Sequence, residues 1–201
     1  MRYQVFSVKR ILIAFFAVLI ATAPMMADDN SSNKGFTSFG LSIASPMGDL
    51  GRISSRGFSL SLSREWPLER KRAIKATIEF AKFADRTFLV DSDNPGYPGI
   101  EQNGSANIVV GTLSYIHPFV SIDKGLYWFT GAGIGVTSAK PNPDWNGYRR
   151  GGFGVCMTIG IGYNIAKNFG IEASFIGTSS YNTGSGLRSH SWNQVSLKYR
   201  F

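Results

Sequence analysis

Residues 152–165 alternate strictly between large apolar side chains and small or polar ones. Every odd-numbered position from Phe153 to Ile165 is apolar, whereas the even-numbered positions carry glycine, Cys156, Thr158 or Asn164. Successive side chains of a β-strand point to opposite faces, so a period of two predicts a strand with one apolar face. An amphipathic helix would instead need apolar residues three and four positions apart. The segment therefore restricts the chain to a sheet with two chemically different faces.

The same alternation recurs in six further segments, and a seventh, from about Ser105 to Phe119, shows it weakly because Ile108, Val109 and Val110 are consecutive. The apolar faces of the six are Phe39, Leu41 and Ile43; Phe58, Leu60 and Leu62; Ile74, Ala76, Ile78 and Phe80; Leu126, Trp128, Ala132, Ile134 and Val136; Phe169, Ile171, Ala173 and Phe175; and Val195, Leu197, Tyr199 and Phe201. Tilted membrane strands need about 9–11 residues each. Eight such segments predict an all-β fold, an eight-stranded antiparallel up-and-down transmembrane β-barrel.

The connections between these strands alternate in length. The short ones are near Pro67–Arg72, Ser121–Gly125 and Ala166–Asn168, and the longer ones near Ser45–Arg56, Ala84–Gly104, Lys140–Gly151 and Ser179–Ser189. Short turns at one end and long loops at the other are the outer-membrane arrangement. Aromatic residues gather beside the short turns and predict a membrane-interface girdle: Trp66, Phe119, Trp128, Tyr163, Phe169, Tyr199 and Phe201.

The first 27 residues have the pattern of a cleavable signal peptide. Arg2, Lys9 and Arg10 precede an uncharged apolar run from Ile11 to Ala21, and Ala27 offers a small residue for cleavage. The run is shorter than the roughly 20 residues of a membrane-spanning helix. We therefore expect residues 1–27 to be removed and residues 28–201 to form the barrel.

Charge and cysteine content narrow the function classes. The net charge of +8 falls to +5 without Arg2, Lys9 and Arg10, and the remaining cations are scattered. Nucleic-acid binding is therefore not expected, since it calls for a clustered basic surface. Cys156 is the only cysteine, so no internal disulfide stabilises the exported protein.

The chain resembles the small outer-membrane β-barrel superfamily of the OmpA barrel, OmpX and the opacity-type proteins. The resemblance rests on 45–50 (SPMGDL), on 125–128 (GLYW) followed by 131–136 (GAGIGV), and on the terminal 197–201 (LKYRF). It implies insertion by the outer-membrane barrel machinery, with periplasmic chaperones, guided by a C-terminal signal of alternate apolar residues. In this chain that signal is Val195, Leu197, Tyr199 and Phe201. The superfamily itself implies no single activity.

The face opposite the apolar one carries charges in mid-strand: Glu65, Lys75, Glu79, Glu172, Lys198 and Arg200. In a soluble barrel this face would be the exterior, and Gly131, Gly133, Gly160 and Gly162 would line it for no clear reason. In a membrane barrel it faces the lumen, where glycines leave room for long charged side chains from the opposite wall. Eight strands leave an interior that side chains just fill. We expect a polar plug of salt bridges; a narrow, gated path for ions or small solutes is the alternative.

Few residues suggest chemistry. His190 lies between Ser189 and Ser191, but neighbours in a strand face opposite sides, which argues against the His–Ser pair of a lipid A deacylase. His117 has no ligand-type neighbour, and the acidic loop with Asp85, Asp91, Asp93, Asn94, Glu101 and Asn103 matches no calcium-loop spacing. No catalytic residue, cofactor or metal site is therefore expected.

The third long loop offers the best recognition candidates: Trp145, Tyr148, Arg149 and Arg150. Aromatic side chains beside arginines are typical of interaction surfaces, and arginine pairs well with lipopolysaccharide phosphates. The expected function is a structural or surface-interaction role in the outer membrane. Its partners would be outer-membrane lipid, lipopolysaccharide and an extracellular ligand contacted by the loops.

Overall fold

The structure is a computed structural model that describes residues 35–68, 72–90, 100–119, 125–141, 152–182 and 186–201. The predicted signal peptide lies outside these ranges. Eight strands and one short helix follow one another along the described chain. They are β1 (Phe36–Met47), α1 (Gly48–Ile53), β2 (Ser54–Pro67), β3 (Ala73–Val90), β4 (Ile100–Pro118), β5 (Gly125–Pro141), β6 (Gly152–Asn164), β7 (Phe169–Asn182) and β8 (Gly186–Arg200).

The strands close into a barrel in which each strand pairs antiparallel with its neighbours in sequence. Closure joins β1 to β8 over ten residue pairs, from Ser38 opposite Arg200 to Met47 opposite Ser191. A closed sheet has no unpaired edge, and every strand can satisfy its backbone hydrogen bonds without water. The predicted fold class, an eight-stranded up-and-down barrel, is confirmed.

The exterior of the barrel is apolar. On β6, the exposed fractions are 60% for Phe153, 63% for Val155 and 69% for Met157, and Phe201 after β8 reaches 67%. Their in-strand neighbours face inward, as the alternation predicts. An apolar band that surrounds a barrel would aggregate in water and is stable in lipid. The exterior therefore faces a bilayer.

The interior is more apolar than the sequence suggests. At the loop end, ten buried residues form one apolar cluster: Ala44, Leu50, Ala81, Phe83, Ala106, Ile108, Val110, Cys156, Ile176 and Trp192. The sequence analysis expected a polar plug of salt bridges and did not predict this additional apolar layer. The consecutive Ile108, Val109 and Val110 are explained by it, because Ile108 and Val110 face this cluster while Val109 faces outward.

Two of the predicted long loops are largely strand. The pairing of β3 with β4 continues from Arg86 opposite Gly104 to Val90 opposite Ile100, inside the predicted loop Ala84–Gly104. Strands β7 and β8 likewise pair as far as Asn182 opposite Gly186. Beyond the bilayer a strand needs no lipid-facing apolar side, so the alternation that marks strands in the sequence is lost there.

The predicted loop Ser45–Arg56 contains α1, a single helical segment between β1 and β2. Gly48 begins it with φ of +55°, a left-handed conformation that favours glycine. At its end the Ser54 hydroxyl donates to the Leu50 carbonyl at 2.7 Å. The turn thereby places Leu50 in the mouth of the barrel, where its side chain is fully buried.

Within the described ranges, no helix combines the length and the apolar character needed to cross a membrane.

Candidate functional site in the barrel lumen

Glu172 on β7 is the centre of the lumen network. Its carboxylate accepts hydrogen bonds from Lys75 Nζ on β3 at 2.9 and 3.1 Å and from the Tyr127 hydroxyl on β5 at 2.7 Å. Lys198 Nζ on β8 lies 2.7 Å from its second oxygen. Lys75, Glu172 and Lys198 are each at least nine-tenths buried. One carboxylate thus links four strands of the barrel wall across its interior.

A second ion pair lies beside the closing seam. Arg200 Nη2 on β8 donates to Glu65 Oε2 on β2 at 3.2 Å, across the intervening strand β1. Gly40 on β1 faces the same space, where a Cβ would clash with Ser61 Oγ on β2 but would lie 3.6 Å from Lys198 Cγ, an ordinary contact. Gly40 therefore makes room for Ser61. The structure thus brings five of the six predicted lumen charges into ion pairs.

Glu79, the sixth predicted charge, has a different partner. Gln194 Nε2 donates to Glu79 Oε2 at 2.9 Å, and Gln194 Oε1 accepts from Ser59 Oγ at 3.0 Å and Trp192 Nε1 at 3.2 Å. In the part of the chain that the structure describes, Glu79 takes part in no ion pair. Gln194 therefore connects the polar network to the apolar cluster above it.

Two aromatic side chains of β5 occupy space that the sequence analysis assigned to charges. Tyr127 pairs with Gly162 and Phe129 with Gly160 on β6. A Cβ at Gly162 would lie 2.6 Å from Tyr127 Cε2, and one at Gly160 would lie 2.5 Å from Phe129 Cζ. The expectation that these glycines make room for charges from the opposite wall is wrong; they make room for rings from the adjacent strand.

The side chain of Phe129 also contacts the charge network. Lys75 Nζ lies 3.8 Å from the centre of its ring, within the range of a cation–π interaction. Sequence reasoning overlooked Tyr127, Phe129 and Gln194. Strand parity would have found all three, because they alternate with the outward-facing Leu126, Trp128 and Val195.

The charged side chains of the described lumen enclose a small cavity. A cavity of about 20 Å³ is lined by Lys75, Glu79, Glu172 and Lys198, among others. A cavity needs roughly 10–15 Å³ of this kind of volume to hold a single water molecule. The cavity therefore has room for about one water and does not form a continuous channel.

The loop end of the lumen is closed by a second, apolar layer. Leu50 and Trp192 are fully buried there, and the Phe83 and Trp192 rings meet edge to face, with centroids 5.8 Å apart at 72°. The Arg86 guanidinium donates to the Gly51 carbonyl and so ties α1 to β3. A path through the barrel would have to pass both this layer and the ion-paired one.

The other residues singled out in the sequence do not assemble into a reactive group. His190 is buried in the lumen whereas Ser189 is exposed on the other face of β8. The His117 ring packs on the Trp128 ring, with centroids 5.6 Å apart. Among the described residues, no three His, Cys, Asp or Glu side chains form a metal-binding group. The loop candidates Trp145, Tyr148, Arg149 and Arg150, and the acidic positions 91–94, lie outside the described residues.

The C-terminal residues form an aromatic strip on the exterior at the short-turn end. The Tyr199 ring lies 5.1 Å from the Phe169 ring and 6.4 Å from the Phe201 ring, between centroids. The Phe201 amide donates to the Thr37 carbonyl at 3.0 Å, which continues the seam between β8 and β1. Val195 and Leu197 extend the same exposed face. The predicted assembly signal is thus fully displayed on the closing strand.

Comparison with solved structures identifies the same architecture in other proteins. Ail, the attachment invasion locus protein of Yersinia pestis, matches with a TM-score of 0.52 at 16% identity, covering 83% of this chain and 97% of its own. The outer membrane protein OprG from Pseudomonas aeruginosa matches with a TM-score of 0.51 at 12% identity, covering 83% and 95%. No protein-family model matches the chain. No curated protein matches it in sequence either.

The apolar exterior requires a bilayer, and the closed eight-stranded barrel with one short-turn end and one loop end is the architecture of these outer-membrane proteins. The chain therefore folds as a small membrane β-barrel, with the fold that Ail and OprG share.

Proposed function

We propose that this barrel is a closed, non-catalytic outer-membrane protein whose loops form a recognition surface. The observation that carries the proposal is the dense packing of the described lumen, where the cavity among Lys75, Glu79, Glu172 and Lys198 has a volume of about 20 Å³. Leu50 and Trp192 occlude the loop end, and the Glu172 network fills the level below. A lumen that is occluded at two levels offers neither a path for solutes nor a pocket for a substrate. The proposed interactions are therefore assigned to the surface.

Conductance in planar bilayers tests the closed lumen. The refolded mature barrel should give no steady single-channel currents, because each layer must open before ions can pass. The matched comparison is the Leu50→Ala, Trp192→Ala double variant, which removes the apolar layer but leaves the ion pairs and should also stay silent. Steady wild-type currents would replace this proposal with the narrow-pore alternative.

The absence of catalysis is tested on the lipid of the host membrane. Cells that express the wild-type protein and cells that express a His190→Ala variant should yield lipid A of identical mass. His190 is the residue that a deacylase hypothesis would require, and the structure puts Ser189 on the opposite face of the same strand. A mass decrease equal to one acyl chain, present only with wild type, would assign an enzyme.

The recognition role is proposed for the third loop, with Trp145, Tyr148, Arg149 and Arg150 as contacts. Ail has also been solved in complex with the heparin analogue sucrose octasulfate, which makes a sulfated polysaccharide a reasonable first probe. Barrels in vesicles should bind immobilised heparin, and an Arg149→Gln, Arg150→Gln variant should bind at least fivefold more weakly. A Lys82→Gln variant is the matched control, and equal binding by all three would remove the loop from the proposal.

A further inference from the structure

The lipid-facing wall of the barrel is indented on one side. A groove of about 760 Å³ crosses β2, β1, β8, β7, β6 and β5, and its lining includes Ile43, Ala173, Val195 and Trp128. A barrel exterior is convex, so a groove requires large side chains on either side of small ones. Ala173 supplies the small side chain, between Ile161 on β6 and Val195 on β8.

Two adjacent ladder rows define the groove. The row nearer the short turns pairs Ile43 with Val195, Val195 with Ala173, Ala173 with Ile161, and Ile161 with Trp128. The row nearer the loops pairs Ser45 with Asn193, Asn193 with Phe175, and Phe175 with Ile159. Both rows belong to the outward-facing set, so they lie against the hydrocarbon of the membrane.

One end of the groove is polar and cationic. Arg56 precedes Gly57, which pairs with Ala44, and Arg56, Ser45 and Asn193 all line the groove. Arg56 and Asn193 are exposed on the exterior. A guanidinium, an amide and a hydroxyl together match a phosphate group, which accepts several hydrogen bonds. The remaining lining is almost entirely apolar.

The groove has the direction that a lipid needs. Arg56 is near the loop end of β2, whereas Trp128 is three residues from the short-turn end of β5. Five strand spacings of about 4.8 Å separate them, and strands tilted by about 40° make such a row descend roughly 15 Å. Half the hydrocarbon core of a bilayer is also about 15 Å. A lipid whose headgroup lies at Arg56 could therefore extend an acyl chain along the groove to the depth of one leaflet.

We infer that this groove binds a phosphate-bearing lipid of the loop-side leaflet, with the phosphate at Arg56, Asn193 and Ser45 and one acyl chain along Ala173. The groove selects its occupant by combining a cationic end with an apolar trough of leaflet depth. This inference rests on the membrane location of the barrel and is independent of what the loops contact.

Native mass spectrometry of the full mature barrel in a neutral detergent tests the inference. Dimyristoyl phosphatidylglycerol should be retained at one molecule per barrel. Dimyristoylglycerol, which lacks the phosphate, and glycerol phosphate, which lacks the chains, should each bind at least tenfold more weakly. Equal retention of either partial probe would overturn the inference, because it would show that one half of the groove suffices.

Matched variants separate the groove from general lipid adhesion. Arg56→Gln should lower retention about tenfold through loss of a charge-assisted contact, and Ala173→Phe should abolish it by filling the trough. Lys82→Gln and Ala132→Phe make the same changes on exposed exterior positions outside the groove and should bind as wild type. Ala173→Leu serves if the phenylalanine variant does not fold. Wild-type retention by Arg56→Gln and the Ala173 variants would show non-specific lipid adhesion and overturn the site.

Discussion

Glu172 carries a single negative charge but has three polar partners. One carboxylate contacts two ammonium groups and a phenol, all inside the barrel. Removing one member of a buried ion pair typically costs about 3–5 kcal/mol, because the partner charge stays buried without compensation. Lys75 and Lys198 both pair with this carboxylate, so the loss of Glu172 should destabilise both buried cations.

We expect Glu172→Gln to lower the free energy of unfolding by about 3–5 kcal/mol, measured as a urea midpoint in detergent or lipid vesicles. Asp85→Asn, an exposed position on β3, and the loop change Asp91→Ala should leave the midpoint nearly unchanged. A Lys75→Met, Glu172→Gln double variant should recover part of the loss, since one stranded cation is gone. A Glu172→Gln midpoint equal to that of the controls would show that water, rather than the carboxylate, compensates the lysines.

A substitution at Gly162 tests the close contact between β5 and β6. Gly162→Ala would place a methyl group against the Tyr127 ring, so the ring must move and its hydrogen bond to Glu172 is lost. We expect a loss of about 1–3 kcal/mol, in the range of overpacked interiors. Gly177→Ala is the control, because its nearest neighbour would be the Phe175 ring at 3.6 Å, an ordinary contact. Equal midpoints for the two variants would contradict the packing described here.

At the scale of elements, β8 has two roles: it closes the barrel by pairing with β1, and it carries the terminal aromatic residues on the exterior. Its inward face supplies Gln194, Lys198 and Arg200 to the lumen, while its outward face supplies Tyr199 and Phe201. The same strand therefore carries the contacts that stabilise the interior and the residues that the resemblance links to assembly.

Changing Tyr199 and Phe201 together to serine should reduce outer-membrane levels and leave unfolded protein in the periplasm. The expected mechanism is failed recognition by the insertion machinery, with loss of the aromatic contacts to Phe169 as a smaller effect. Ile159→Ser with Ile161→Ser removes two equally exposed apolar side chains from β6 and should insert better. Membrane fractionation and immunoblotting measure the difference. If both double variants insert to the same level, the terminal residues are not read as a signal.

Strand faces could be predicted from the sequence because lipid and lumen impose opposite chemistry on alternate residues, as 153–165 show. The extent of β3 and β4 could not, since their pairing beyond Arg86 lies where no lipid enforces alternation. Helix α1 was not predicted, because its buried side chain Leu50 lies in a segment rich in turn-forming residues. The partners within the lumen network depend on which strands face each other across the barrel, and parity alone does not specify that.

At the scale of the whole molecule, the barrel wall and its filling support each other. The closed backbone ladder leaves no edge at which unfolding could begin, and side chains from four strands are linked through Glu172. Cooperative unfolding is the expected consequence.

The folded mature chain should run faster than the boiled chain on a detergent gel, because a closed barrel resists unfolding by the detergent without heat. Its circular dichroism should be β-rich, and the protein should need detergent or lipid to stay in solution. A strongly helical spectrum, or solubility of the folded chain in plain buffer, would contradict a membrane barrel.

The described lumen charges of the network are three carboxylates and three cations: Glu65, Glu79 and Glu172 with Lys75, Lys198 and Arg200. When all six are ionised they sum to zero. An electric potential across the membrane does work of about 2.3 kcal/mol per elementary charge per 100 mV, so it does no net work on displacing this group as a unit. A variant that removes one of the six charges would leave this group with a net charge, on which the same potential can do work.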